Sequence, residues 1–112
     1  MIRKASIEIG VPPEKIWEML ALDRWAEWDE GTQKMVKRVE HTSEIPTPED
    51  EYKVGATANF IDQHDKLYLA SEVTESLENE KITYRLTADH WVSQIAQTFV
   101  LEPIEKGTKL SV

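Results

Sequence analysis

The 112-residue chain contains no cysteine, which excludes a disulfide framework, thiolate metal ligation and thiol catalysis. It is also poor in basic charge: 13 Lys and Arg stand against 21 Asp and Glu, a formal net charge of −8. The basic residues are scattered, and a field of this sign repels phosphate backbones, so no nucleic-acid partner is expected. No apolar run approaches the ~20 residues that a membrane-spanning helix needs. Met1-Ile-Arg-Lys-Ala5 leads into a strand pattern rather than an apolar signal core, and the expected compartment is the cytoplasm. Four glycines build no phosphate-cradling loop, and no serine sits in a nucleophile-elbow context. What is present is ordinary globular material, 40% hydrophobic and 30% charged. One domain spanning 1–112 is expected, burying roughly 65% of its unfolded surface in a single core.

Alternation and turn residues set out the elements. Ala5, Ile7 and Ile9 share one face against Lys4, Ser6 and Glu8, the period-two pattern of a half-buried strand. Pro12 and Pro13 stop it, and Pro13 with Glu14 suits the first turn of a helix, through fixed φ and a favourable contact with the helix dipole. Ile16, Met19 and Leu20 then give an apolar stripe, so the helix is expected to run to about Leu22. Asp23 is expected to cap a second short helix carrying Trp25 and Trp28 on one side, with Gly31 ending it. Beyond it the helical period disappears, and strands are expected near 34–42, 55–62, 66–77, 81–88, 92–102 and 108–112. Asn79-Glu80 and Lys106-Gly107 read as hairpin turns. Ser43–Glu51, with Pro46, Pro48 and four acidic residues, reads as a solvated loop and the most flexible segment.

This order of elements, with particular residues that mark it, resembles the START-like superfamily of polyketide cyclase/dehydrase and lipid-transport proteins, which includes the birch-pollen-allergen family. The marks are Ser6-Ile-Glu-Ile9, Val11-Pro-Pro-Glu-Lys-Ile-Trp17, Leu22-Asp-Arg-Trp-Ala-Glu-Trp28, Gly55 opening the third strand, Phe99-Val-Leu-Glu-Pro103 and Gly107-Thr-Lys-Leu110. Each is weak alone; in combination they are fairly specific and cover almost the whole chain. The resemblance implies an α+β, helix-grip fold: a curved antiparallel seven-stranded sheet, two short helices between strands one and two, and an apolar ligand held between the sheet and a long C-terminal helix. The sequence departs from the family at its end, because it stops at Val112 where that helix follows. Crossing a ~30 Å sheet takes about 20 helical residues, and without them the concave face is bare to water. The chain is therefore expected to be C-terminally incomplete, a short form, or a subunit whose open face is covered by a second copy or a partner protein.

Alternation and resemblance together nominate Trp25, Trp28, Phe60, Leu67, Leu69, Tyr84, Leu86, Ile95 and Phe99 as pocket-lining residues. The same residues also read as ordinary core, with Trp25 and Trp28 pinning the helices to the sheet, and Trp17 as packing. The Tyr84 hydroxyl needs a partner if buried and could orient a ligand. Asn59, Gln94 and Gln97 are polar candidates whose side depends on register. His41 and His64 read as solvated, and Asp89-His90-Trp91 as a turn, since an adjacent Asp does not fold back to orient a histidine. No His-x-His, His-Glu-x-x-His or carboxylate spacing supports a metal ligand set, and no cofactor is expected. Arg85 alternates against Ile82, Tyr84 and Leu86, so it is expected on the outer face beside Glu72 or Glu75.

Three functions are compatible with this reading. The first is binding of a lipid or another small hydrophobic ligand, favoured because no catalytic constellation is evident. The second is an enzyme resembling polyketide cyclases or dehydrases. The third is a protein-interaction module similar to chaperone-activator homology domains, suggested by the acidic loop and the bare face.

Overall fold

The computed structural model describes residues 5–88 and 94–112. The chain runs β1 (Ser6–Ile9), α1 (Pro13–Met19), a first 3-10 helix (Leu22–Glu27), α2 (Glu30–Met35) and β2 (Val36–His41). A second 3-10 helix (Pro48–Tyr52) comes next, then β3 (Thr57–Asp62), β4 (Leu67–Leu77), β5 (Lys81–Thr87), β6 (Ile95–Ile104) and β7 (Gly107–Ser111). All seven strands join one open antiparallel sheet in the order β1-β7-β6-β5-β4-β3-β2, the α+β architecture expected. The turn read at Asp89-His90-Trp91 lies outside the described residues.

This order explains why the helices cover the sheet. β1 and β2 are consecutive in sequence but occupy opposite edges. Their connection must therefore cross six inter-strand steps, about 29 Å at ~4.8 Å each. α1, the first 3-10 helix and α2 make that crossing over one face. They bury Ile16, Trp17, Leu20, Leu22 and Trp25 against Phe60, Val73, Ile82, Tyr84, Leu86, Phe99 and Leu101 of the strands. At the far edge β7 approaches the end of β1 closely. Gly107 has φ +147°, and a Cβ there would overlap the Ile9 carbonyl, so no side chain fits.

Several local expectations are corrected. The second helix divides in two, and Gly31 lies inside α2 rather than ending it. The cap is Asp29, whose Oδ2 accepts from the backbone N–H of Thr32 at 2.9 Å and from its hydroxyl at 2.6 Å. Asp23 is instead engaged by His41, and Lys34 and Met35 remain helical, so the second strand starts at Val36. The acidic loop is not wholly solvated. Its end folds into the second 3-10 helix, where the Asp50 carboxylate accepts from the Thr47 backbone N–H at 3.0 Å and hydroxyl at 2.9 Å, and Glu51 is buried.

β4 departs from simple alternation because its register shifts twice. Phe60 pairs with Leu69 but Ile61 with Leu67, and Val73 pairs with Tyr84 but Glu75 with Thr83. Each bulge adds one residue and switches the face of the residues beyond it. Leu67 and Leu77, at the two ends of the strand, are consequently exposed.

Candidate functional site

α1 is short, and its last carbonyls have no intrahelical donors. Aromatic side chains supply them. The Leu20 carbonyl accepts from Trp25 Nε1 at 2.8 Å and from the Tyr84 hydroxyl at 2.9 Å. The Met19 carbonyl accepts from Trp28 Nε1 at 2.6 Å, and the Glu18 carbonyl from the Tyr52 hydroxyl at 3.3 Å. Trp25 is the hub: its ring centroid lies 5.4 Å from Tyr84, 5.6 Å from Phe60 and Trp28, and 5.9 Å from Phe99. Burial pushes the Tyr84 phenol far above its ordinary pKa, so it stays a neutral donor.

The nine nominated pocket residues do not all meet. Trp25, Phe60, Tyr84, Leu86 and Phe99 are buried together where helices and sheet join, Leu69 is half-buried beside them, and Trp28 is 41% exposed at the rim. Ile95 pairs with Leu86 and so shares its face, but it is exposed. Leu67 is turned away by the bulge in β4. The Phe60, Tyr84 and Phe99 rings pack around Trp25, and the Tyr84 hydroxyl is already committed to Leu20. Of the polar candidates, Gln97 pairs with Tyr84 and is half-buried, whereas Asn59 and Gln94 border a shallow depression with Arg85 and Glu72. Arg85 is ion-paired with its cross-strand neighbour Glu72, as its alternation implied.

An open cleft of about 700 Å³ lies to one side of this packing. Its walls are α1 (Glu14, Trp17, Glu18), Pro48, Glu49, Tyr52, Lys53 and Val54 between β2 and β3, Ser76 near the end of β4, and Glu78 and Asn79 of the β4–β5 turn. Trp17 and Tyr52 stack with ring centroids 5.0 Å apart and 23° between planes. Burial, reinforced by the charge of Glu51, pushes the Tyr52 phenol up to about 12. Lys53 is held by Asp50, whose carboxyl is lowered to about 2 by that bond and by Thr47, which leaves Glu14, Glu18, Glu49 and Glu78 to set the sign of the cleft. Neither Tyr52 nor the cleft was legible in the sequence, because the loop carrying Tyr52 has no periodicity.

A third cluster lies near the β2 edge. His41 Nε2 is 2.8 Å from Asp23 Oδ2 and 4.0 Å from Glu51 Oε1. The His41 side chain is only 17% exposed, which corrects its reading as solvated. It pairs with Ala58, which pairs with Ser71 and in turn with Leu86, so it stands in a cross-strand row on the core face. Burial, then the charge of Asp23, raises the Glu51 carboxyl above its ordinary value; His41 and the backbone N–H groups of Asp23 and Leu22 act the other way. Residues 18 and 28 positions apart form this cluster, a spacing that no linear motif reveals.

No protein-family model matches the chain, and no curated protein sequence matches it. Solved structures do share its fold. One is protein MLL2253 from Mesorhizobium loti, with 23% identity and a TM-score of 0.65 over 97% of this chain and 73% of that one. DynU16, a protein of the dynemicin biosynthetic locus, is similar at 15% identity and TM-score 0.64, over 96% of this chain and 34% of its own. CalU16 from Micromonospora echinospora is similar at 12% identity and TM-score 0.63, over 96% and 55%. The fold is therefore one in which an antiparallel sheet carries its helices on one face, shared with proteins of very different sequence. The chain spans about a third of DynU16 and just over half of CalU16.

Proposed function

We propose that the chain is a START-like protein that binds a small hydrophobic ligand, and that the ligand enters the cleft beside Trp17 and Tyr52. The carrying observation is the cleft itself, whose volume of about 700 Å³ lies within the range of small-molecule sites and whose wall includes a stacked aromatic pair. The shared fold with DynU16, from a biosynthetic locus, fits a small-molecule ligand. Among the described residues the unpaired charges on the walls are those of Glu14, Glu18, Glu49 and Glu78, so a neutral or cationic apolar molecule is favoured over a fatty-acid anion.

The test is titration with a neutral apolar dye and with its carboxylated analogue, monitored by dye fluorescence. Wild type should bind the neutral dye more tightly, and Tyr52→Ala should weaken binding about tenfold, while Trp28→Ala leaves it unchanged. Binding lost with Trp28→Ala and retained in Tyr52→Ala would move the site to the rim of the aromatic packing. No binding of either dye would remove the proposal.

A further inference from the structure

Three elements converge on the Asp23, His41 and Glu51 cluster: the first 3-10 helix, the last residue of β2 and the second 3-10 helix. One imidazole nitrogen and two carboxylate oxygens, one from each residue, all lie within 4.8 Å of one another. A tetrahedral ion with bonds of about 2.1 Å holds its ligand atoms about 3.4 Å apart. The observed 2.8 Å and 4.0 Å separations bracket that value. The Asp23 side chain, 49% exposed, has room to make the small adjustment, whereas those of His41 and Glu51 are 17% and 9% exposed.

Proximity alone would describe an ordinary ion pair. The second observation is Glu51. Its side chain is only 9% exposed, and its Oε1, the atom facing His41, has no hydrogen-bond partner among the described residues. A buried carboxylate oxygen without a donor is costly, and chains retain one where something else satisfies it. His41 does not, because at 4.0 Å its nitrogen is beyond hydrogen-bond reach and already engaged by Asp23. A cation placed among the three atoms would satisfy Glu51 and offset both carboxylate charges.

We propose that Asp23, His41 and Glu51 form a binding site for one divalent transition-metal ion of the zinc type. Imidazole favours zinc and its neighbours over magnesium or calcium, which prefer all-oxygen sets. Three protein ligands leave a fourth position, and the exposure of Asp23 places it toward solvent.

The test is calorimetric titration of the full chain, first stripped with a chelator, with zinc chloride and separately with magnesium chloride. Zinc should bind at one ion per chain and magnesium at least a hundredfold more weakly. Asp23→Asn, at an exposed position that spares the fold, should weaken zinc about tenfold, and His41→Ala more than tenfold. His64→Ala, in the exposed β3–β4 turn, should leave affinity unchanged. Equal zinc affinity in wild type, Asp23→Asn and His41→Ala, or no zinc binding by wild type, would overturn the proposal and leave His41 as a bridge between two carboxylates.

Discussion

Trp25 and Asp23 stand two residues apart on one 3-10 helix, yet they anchor regions built on opposite terms. Around Trp25 the groups are neutral, aromatic and buried, and the indole and phenol donors end on carbonyls that α1 leaves open. Around Asp23 the groups are charged, the contacts join three separate elements, and a buried oxygen has no donor among the described residues. The first region is satisfied by the chain alone, which marks it as the structural centre. The second is incomplete without something added, and incompleteness of this kind is a better pointer to binding than apolar character, which core and pocket share.

Truncation of the hub should give the largest effect. Trp25→Ala removes the ring that touches Tyr84, Phe60, Phe99 and Trp28, and also a buried hydrogen bond. It should cost about 3–5 kcal/mol in urea unfolding. Asp23→Ala should cost well under that, and equal losses would break the contrast between the two regions. In chelator-treated protein Glu51→Gln should act in the opposite direction, raising stability by roughly 1–2 kcal/mol at neutral pH, since it removes a buried charge with an unpartnered oxygen. Destabilisation by this change would show that the Glu51 charge is already compensated within the fold. Tyr84→Phe keeps the packing and deletes one donor to Leu20, whose carbonyl retains Trp25; a loss of about 1 kcal/mol is expected.

Only the apolar side of this contrast was legible in the sequence, and the limits have physical causes. Strict alternation in β5 placed Ile82, Tyr84 and Leu86 on the core face, because that strand pairs on both sides from Lys81 to Leu86 and its shift lies on the β4 partner. The same rule failed at Leu67, because a bulge is a property of paired strands and leaves no mark on one strand's pattern. The helical stretch gave Trp25 and Trp28 together but not the split at Asp29, whose cap bond comes from the backbone N–H three residues on, a donor that every residue but proline supplies. The charged edge was the least legible. Asp23, His41 and Glu51 meet only because the sheet order sends β2 to the edge where the first 3-10 helix arrives, and that is a consequence of topology rather than of spacing.

Three charged side chains at the surface provide the baseline for both regions. Asp65, at φ +61° in the β3–β4 turn, receives hydrogen bonds from Arg38 at 2.6 Å and Lys37 at 3.1 Å, and these hold its carboxyl below its ordinary value of 3.8. The lowered value means that the unfolded chain takes up the proton first as pH falls. The contribution is therefore complete above 3.8 and is lost as pH drops through the folded value. Because all three side chains are in water, salt screens the attraction. Asp65→Asn should leave the urea midpoint at neutral pH nearly unchanged while flattening the acid-side fall in stability below 3.8, an effect that shrinks in 1 M salt. A neutral-pH loss as large as that of Tyr84→Phe would mean that exposed charge contributes as much as a buried donor, and the distinction between the satisfied centre and the unsatisfied edge would then need a cause other than burial.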